Sequence, residues 1–293
     1  MRVIDIFPFC DEIDLTVIRI NHLAEAVDHF FVAEYDTSFS GLKKDYCFER
    51  VLTRLPISIA RKILYFPLTQ ESPSTDPFGN DDYQKNYMVE NFLKYFERSD
   101  IIISGDCDEF PTISAISRSI KNLNLGFKLC HLAQRNFLGY LNVEEVTGTV
   151  LSFTGEYPFI LRNKWLGTVI TNRSMISDNF FSGLRQPRLK KDGRRIAEGG
   201  WHFSSCNGEG ANFQERFREK YRLTSHQELN REEIIDGASR RLIAGKDPLL
   251  RKYPRKLVGG YTEPKFRTRT IDNSFPSWLL QNSSTFEHLI LDG

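Results

Sequence analysis

Five short apolar segments, Val3–Phe7, His29–Glu34, Lys62–Phe66, Ile101–Ser104 and Phe127–Leu132, alternate with stretches that have helical periodicity. That alternation restricts the chain to an α/β layer structure with a mostly parallel sheet. Ile13, Val17, Ile20, Ala24 and Val27 are spaced four, three, four and three apart, the stripe of a helix packed on a sheet. A second helix is expected to begin near Asp81, where Asp81 and Asp82 suit the positive end of the macrodipole, and to bury Met88, Val89, Phe92 and Phe96. Lys85 lies on that same line, so its ammonium should point toward the sheet edge. Further helices are expected over Thr112–Leu123 and around Asn212–Tyr221. Beyond about residue 145 the signals become irregular, and no linker divides the chain, so a single domain with an irregular C-terminal half is expected.

With 293 residues, 40% of them hydrophobic, such a chain buries a full core without disulfide or metal staples. Lys and Arg total 39 against 38 acids. No global field therefore gathers nucleic acid or an anionic membrane, and attraction to phosphate must be local. The five cysteines form no C-x-x-C pair and read as reduced thiols. A strand pattern starts within two residues of Met1 and no apolar run reaches the roughly 18 residues of a membrane span, so a cytoplasmic protein is expected.

"SGDCDEFP", Ser104 to Pro111, crowds three carboxylates after the fourth strand. In extended backbone residues i and i+2 share a side, so Asp106 and Asp108 aim at one point while Cys107 turns away. Two such carboxylates repel unless a cation joins them. Hard oxygen donors suit Mn²⁺ or Mg²⁺, and ligands of open α/β sheets bind at the carboxyl ends of strands. The plainer reading makes Asp108 a helix cap, but one carboxylate suffices for a cap.

"EGGWHFSSC", Glu198 to Cys206, is a second constellation. Its glycines let another group approach the backbone closely. His202 is a candidate third metal ligand, and Trp201 either packs on a sugar or base or belongs to the core. The basic run Arg185–Arg195 reads as a hairpin turning at Asp192-Gly193, either a solvated face or a cover for a diphosphate or a phospholipid-linked acceptor; Arg251–Lys256 is read mainly as a solvated face.

"FPFCDEIDLTVIRINHL", "VAEYDTSFSG", "DDYQKN", "GDCDEFP" and "GWHFSSC", in that order, resemble glycosyltransferase family 17, whose best-known members are β-1,4-mannosyl-glycoprotein β-1,4-N-acetylglucosaminyltransferases. The resemblance covers about residues 1 to 225. It implies a GT-A-like fold, with residues 1–145 as the nucleotide-sugar-binding half and 146–293 as the acceptor-side half. It further implies an inverting transfer and a D-x-D motif, Asp106 and Asp108, holding a divalent cation against the donor diphosphate. Glu12, Asp14, Arg19, Glu34 and Gln84 match family positions, and Lys85 stands where the family often has arginine, which keeps the charge but not the bidentate geometry. The animal enzymes carry a membrane anchor, which is not found here, so a surface polysaccharide or lipid-linked oligosaccharide is the expected product, made with peripheral contact at the inner membrane face.

These readings combine into a metal-dependent transfer from a nucleotide sugar, a UDP-sugar such as UDP-N-acetylglucosamine, to a glycan or lipid-linked acceptor. Asp106, Asp108 and His202 are the metal ligands; Glu12, Asp14, Glu34, Gln84, Lys85, Asp106 and Trp201 are donor-side residues; Glu109 and Glu198 are the candidate bases. The rivals are a metal-dependent nucleotidyltransferase, which would want a glycine-rich phosphate loop where "FPFCDE" stands, and a non-catalytic carbohydrate-binding protein.

Overall fold

Strands buried on both faces read as continuous apolar runs, and each side chain along them must find a partner above or below the sheet. The computed structural model describes residues 1–71, 73–146, 149–154, 157–162, 164–176, 193–207, 212–250, 253–254 and 261–292. Strands β1 (Val3–Phe9), β2 (His29–Tyr35), β3 (Ile63–Leu68) and β4 (Ile101–Ser104) form a parallel quartet in the order β3-β2-β1-β4. Ile4, Ile6, Phe31 and Ile102 turn to one face, while Phe7, Phe30, Val32, Ile101 and Ile103 turn to the other.

The first face is covered by helix α4 (Pro77–Leu93), which buries Met88, Val89 and Phe92, with Phe96 just beyond its end. The second face receives α1 (Ile13–Leu23) and α5 (Ile113–Asn124). Between them the chain makes two single-turn helices, α2 (Glu49–Leu52) and α3 (Ile57–Ala60). Helix α4 starts earlier than the acid pair suggests. Asp76 accepts a hydrogen bond from the Phe78 amide and Pro77 occupies the first turn, so Asp81 lies a turn inside, on the same side as Lys85.

The sheet continues through the second half of the chain. Strand β10 (Lys164–Asn172) runs antiparallel to β4 and to β6 (Leu129–Leu138). On β6 lie β11 (Gly193–Ser204), parallel, and β7 (Val143–Glu145), antiparallel. β14 (Phe266–Thr268) extends β7, and the three-residue β5 (Glu109–Pro111) pairs with β11. Seven of the ten strands of this sheet run the same way, the mostly parallel α/β arrangement expected. The irregularity expected after residue 145 is thus only partial, because β10 and β11 are long strands of the main sheet. Two separate ladders pair β8 (Thr149–Thr154) with β9 (Tyr157–Arg162) and β12 (Tyr253–Pro254) with β13 (Tyr261–Thr262). Helices α6 (Phe213–Leu223) and α7 (Glu232–Ile243) pack on one another, α6 being started by a capping box between Asn212 and Glu215; α8 (Ser277–Gln281) lies on α1. Among the described residues no helix is long and apolar enough to cross a membrane.

The groups that approach the glycines of Glu198–Cys206 are strand β6, at Gly199, and strand β5, at Gly200. Gly200 has φ +140, and a Cβ there would lie 1.8 Å from the Phe110 carbonyl oxygen. Gly200→Ala is therefore expected to lower stability by about 3 kcal/mol, from backbone strain added to overpacking; chemical denaturation measures it.

Candidate active site

The cluster after β4 is a tight turn held from below. Arg19 of α1 is fully buried and grips Asp5 with two nitrogens, at 2.9 and 2.7 Å. Its remaining amine reaches the carbonyls of Asp106, at 3.2 Å, and Glu109. The Glu109 carboxylate is also fully buried and accepts from the Asp106 amide (3.1 Å) and the Trp165 indole (2.7 Å). Gly105 and Gly167 make room for it, since a Cβ at either would come within 2.7 and 2.0 Å of its oxygens. Glu109 therefore shapes the turn, and its burial answers the expectation of a base: it does not open on the cleft.

What opens there is the D-x-D pair. Asp106 and Asp108 line one cleft of about 530 Å³ at the carboxyl ends of β1, β2 and β4, together with Cys10, Glu12, Lys44, Gln84 and Lys220. The extended backbone expected there is instead a turn at Cys107 and Asp108, and Cys107 meets Thr16 at 2.9 Å while also bordering the cleft. The two carboxylates share the cleft. Asp106, the more exposed at 32%, faces Lys85 Nζ at 3.1 Å, and Lys85 also pairs with Asp81 at 2.6 Å. Lys85 is buried and points to the sheet edge, as its place on the apolar stripe predicts. Asp108, 12% exposed, faces His202 Nε2 at 3.6 Å, and its Oδ1 is buried with no hydrogen-bond partner.

The imidazole is held on two sides. Trp165 stacks on it at 4.5 Å and 17°, and Nδ1 meets Asn136 Oδ1 at 2.8 Å. The Asn136 amide donates to Glu145 at 2.7 Å, which orients its oxygen toward the ring, so Nδ1 carries the proton and donates. The ring's Nε2 faces the Asp108 carboxylate, an arrangement at ease only with a cation or a proton between them. Burial alone would raise the Asp108 carboxyl; His202 and Lys220 more than offset this and hold it below the usual carboxylate range.

That observation, with the orphaned Oδ1, fits a divalent ion bound at Asp108 and His202. Among the described residues no three His, Cys, Asp or Glu side chains converge as a complete cage, and Asp106 is engaged with Lys85. Protein carboxylates commonly supply one or two ligands to such ions, the substrate and water supplying the rest.

Other expected residues take distinct places. Glu12 lines the cleft and turns one oxygen to the amides of Cys10 and Asp11 and the other to Lys220 at 3.5 Å. Gln84 also lines it and fixes the following wall by donating to the Thr37 carbonyl at 2.8 Å. Glu34 is buried, its oxygens taken by Lys44, the amides of Cys47 and Phe48, and the Tyr65 hydroxyl; it positions Lys44 rather than facing the cleft. Asp14 is a correction: buried on α1, it binds Arg54 at 2.7 Å and His288 at 2.8 Å and does not line the cleft. Trp201 and Glu198 are corrections too. Successive β-strand side chains face opposite ways, so Trp201 turns from His202 into the core and donates to the Ser274 carbonyl, and both residues line a different cleft. Of the basic run, Gly193–Arg195 begins β11 and the rest, with the turn at Asp192-Gly193, lies outside the described residues; of Arg251–Lys256 only the backbone of Tyr253–Pro254 is described.

Lys220 is the residue sequence reasoning passed over. Burial depresses its ammonium, but Glu12, Asp108 and Asp11 reverse this and hold it charged. The signal lay in α6, where Arg216 and Lys220 sit four apart beside the buried aromatics Phe217 and Tyr221.

The sequence model of glycosyltransferase family 17 matches residues 1–293, the whole chain. The chain belongs to glycosyltransferase family 17. As a family 17 glycosyltransferase it joins known sequence motifs to a cleft at the expected end of the sheet. No curated protein matches its sequence. Similar solved structures include 4-diphosphocytidyl-2C-methyl-D-erythritol synthase from Anaerococcus prevotii DSM 20548, at 10% identity over 67% of this chain and 86% of that one, TM-score 0.38. A candidate nucleotide-diphospho-sugar transferase from Desulfovibrio desulfuricans G20 is 8% identical over 80% of this family 17 chain and 96% of its own, TM-score 0.35. Likeness at this level does not bear on activity.

Proposed function

We propose that the cleft binds a nucleotide sugar, a UDP-sugar such as UDP-N-acetylglucosamine, and transfers the sugar with inversion to a hydroxyl of a glycan or lipid-linked oligosaccharide. The observation that carries this reading is the pair of Asp108, with its unpartnered buried oxygen, and His202, with its tautomer set by Asn136 and Glu145. Asp108 and His202 would hold Mn²⁺ or Mg²⁺, with Asp106 beside them. Such an ion would supply Lewis-acid neutralisation of the leaving diphosphate.

The chain's own residues do the rest. Lys220 lines the cleft, held by Glu12, and Lys85 stands behind Asp106, so both charges favour a bound diphosphate. In the transfer the acceptor oxygen bonds to the anomeric carbon, the carbon–phosphate oxygen bond breaks with its electron pair leaving on the diphosphate, and the hydroxyl proton passes to a carboxylate. We assign this role to Asp11, which adjoins the cleft residues Cys10 and Glu12 without itself being among those that line the cleft; it is bound by Asn207, and burial together with the charge of Glu12 pushes it up to about 7. The base must be deprotonated, so kcat is expected to fall as pH drops through about 7, and Asp11→Asn should remove that limb while sparing donor affinity. A pH–rate series on both proteins measures it.

Thermal shift with UDP-sugars, with and without Mn²⁺, tests the binding half. A shift with donor only when metal is present supports the reading; no shift with any sugar nucleotide overturns it. Asn136→Ala is expected to weaken metal binding by about 10- to 100-fold through loss of His202 orientation, measured by calorimetry.

A further inference from the structure

On the other side of β11 from His202 lies a second open cleft of about 1590 Å³. Side-chain parity builds it: on β6 Asn136 faces His202, so Arg135 turns away, beside its ladder partners Trp201 of β11 and Lys164 of β10. Arg135 and Lys164 are thus like charges directly opposed across an antiparallel pair, which is ordinarily destabilising.

One buried carboxylate serves this inner wall. Glu144 binds Arg135 at 2.8 and 3.0 Å and Arg269 at 2.7 Å, so two guanidinium groups share a single acid. Lys164, half-buried beside them, has its ammonium pushed below the usual range, first by burial and then by Arg135, against weaker support from Glu144 and Glu198. The other charges, Arg267, Glu198 and Asp272, are exposed at the rim, and Asp272 is turned onto its own loop at the Ser274 amide. Asp272 acts on Arg135 and Arg269 and Glu198 on Lys164, so across the whole lining four cations face three acids, which leaves one positive charge in excess beside an open space. Hydroxyl and amide groups of Thr112, Thr270, Asn273 and Ser274 line that space.

We propose that this cleft is a second binding site, taking an anionic saccharide whose carboxylate or phosphate sits between Arg135, Lys164 and Arg269 while its hydroxyls meet the polar lining. An anion there relieves the opposed cations with charge-assisted hydrogen bonds. The site is independent of the donor cleft, and the proposal does not rest on the transfer mechanism.

Calorimetric titration with D-glucuronate, glucose 6-phosphate and uncharged glucose tests it. At least one of the two anions is expected to bind saturably, more tightly than glucose by about tenfold or more, the effect of a charge-assisted bond, and to weaken with salt. Binding by one anion alone supports the site and identifies its anionic group. Lys164→Ala and Lys164→Gln should each weaken binding by about tenfold and Lys164→Arg should retain it, whereas Asp108→Ala should leave it unchanged. Circular dichroism confirms that each variant is folded. The proposal falls if neither anion binds saturably, if glucose binds as well, or if binding survives both neutral substitutions at Lys164 or vanishes in Asp108→Ala.

Discussion

Asp108→Ala is expected to lower kcat/KM for sugar transfer by on the order of 10²–10³-fold, the usual scale for removing one preorganised electrostatic group from the reacting centre. Asp108 is the more buried of the D-x-D pair, and its Oδ1 has no protein partner that would explain the desolvation. Asp106 is more exposed and already holds Lys85, so Asp106→Ala frees a cation to meet the diphosphate and should cost less. The fold should survive Asp108→Ala, because the main chain of Asp108 does the structural work, its carbonyl accepting from the Phe203 amide at 2.8 Å. Steady-state rates for both variants decide the matter. Transfer by Asp108→Ala within about twofold of wild type, too small a change for a lost charge-stabilising group, would remove Asp108 from the mechanism.

Arg19→Met is expected to be the most destabilising single change in the N-terminal half, by about 3–5 kcal/mol, because it strands a buried carboxylate. Arg19 and Asp5 are both fully buried, and each oxygen of Asp5 takes one Arg19 nitrogen. The same guanidinium fastens two carbonyls of the acidic turn, so activity should fall with stability. The double variant Asp5→Leu/Arg19→Met should recover much of the stability, since a buried ion pair replaced by apolar groups is often neutral. Activity should stay low, because the turn has lost its anchor. Urea titration of the single and double variants closes the cycle; equal loss in both would show that the pair itself, not an isolated Asp5, sets the energy.

Local pattern made the N-terminal half legible. The parallel strands and the buried faces of α1 and α4 follow from periodicity, and the place of Lys85 follows from one charge on an apolar stripe, whereas Asp106 and Asp108 lie in a turn rather than in the extended backbone that parity assumes. What failed were inferences from nearness along the chain. Glu109 neighbours the pair but serves as an internal strut, and Glu198 neighbours Gly200 but occupies the far side of β11. Trp201 and His202 were read as one constellation although adjacent strand residues face apart. Lys220 reaches the cleft from α6, while Asn136 of β6 and Trp165 of β10 brace His202, and pairings so distant leave little local trace. Helix α4 was begun at its acids, whereas Asp76-Pro77 is the stronger start signal.

The clasp of β5 on β11 ties the acidic turn to residues 86 positions later, as the contact from Thr112 to the Glu198 carbonyl illustrates. During synthesis the quartet β1–β4 can collapse around its own helices early, yet the cleft waits for His202 to emerge. A nascent chain stopped short of β11 should thus be partly folded and inert, so competence for donor is gained late, by long-range closure.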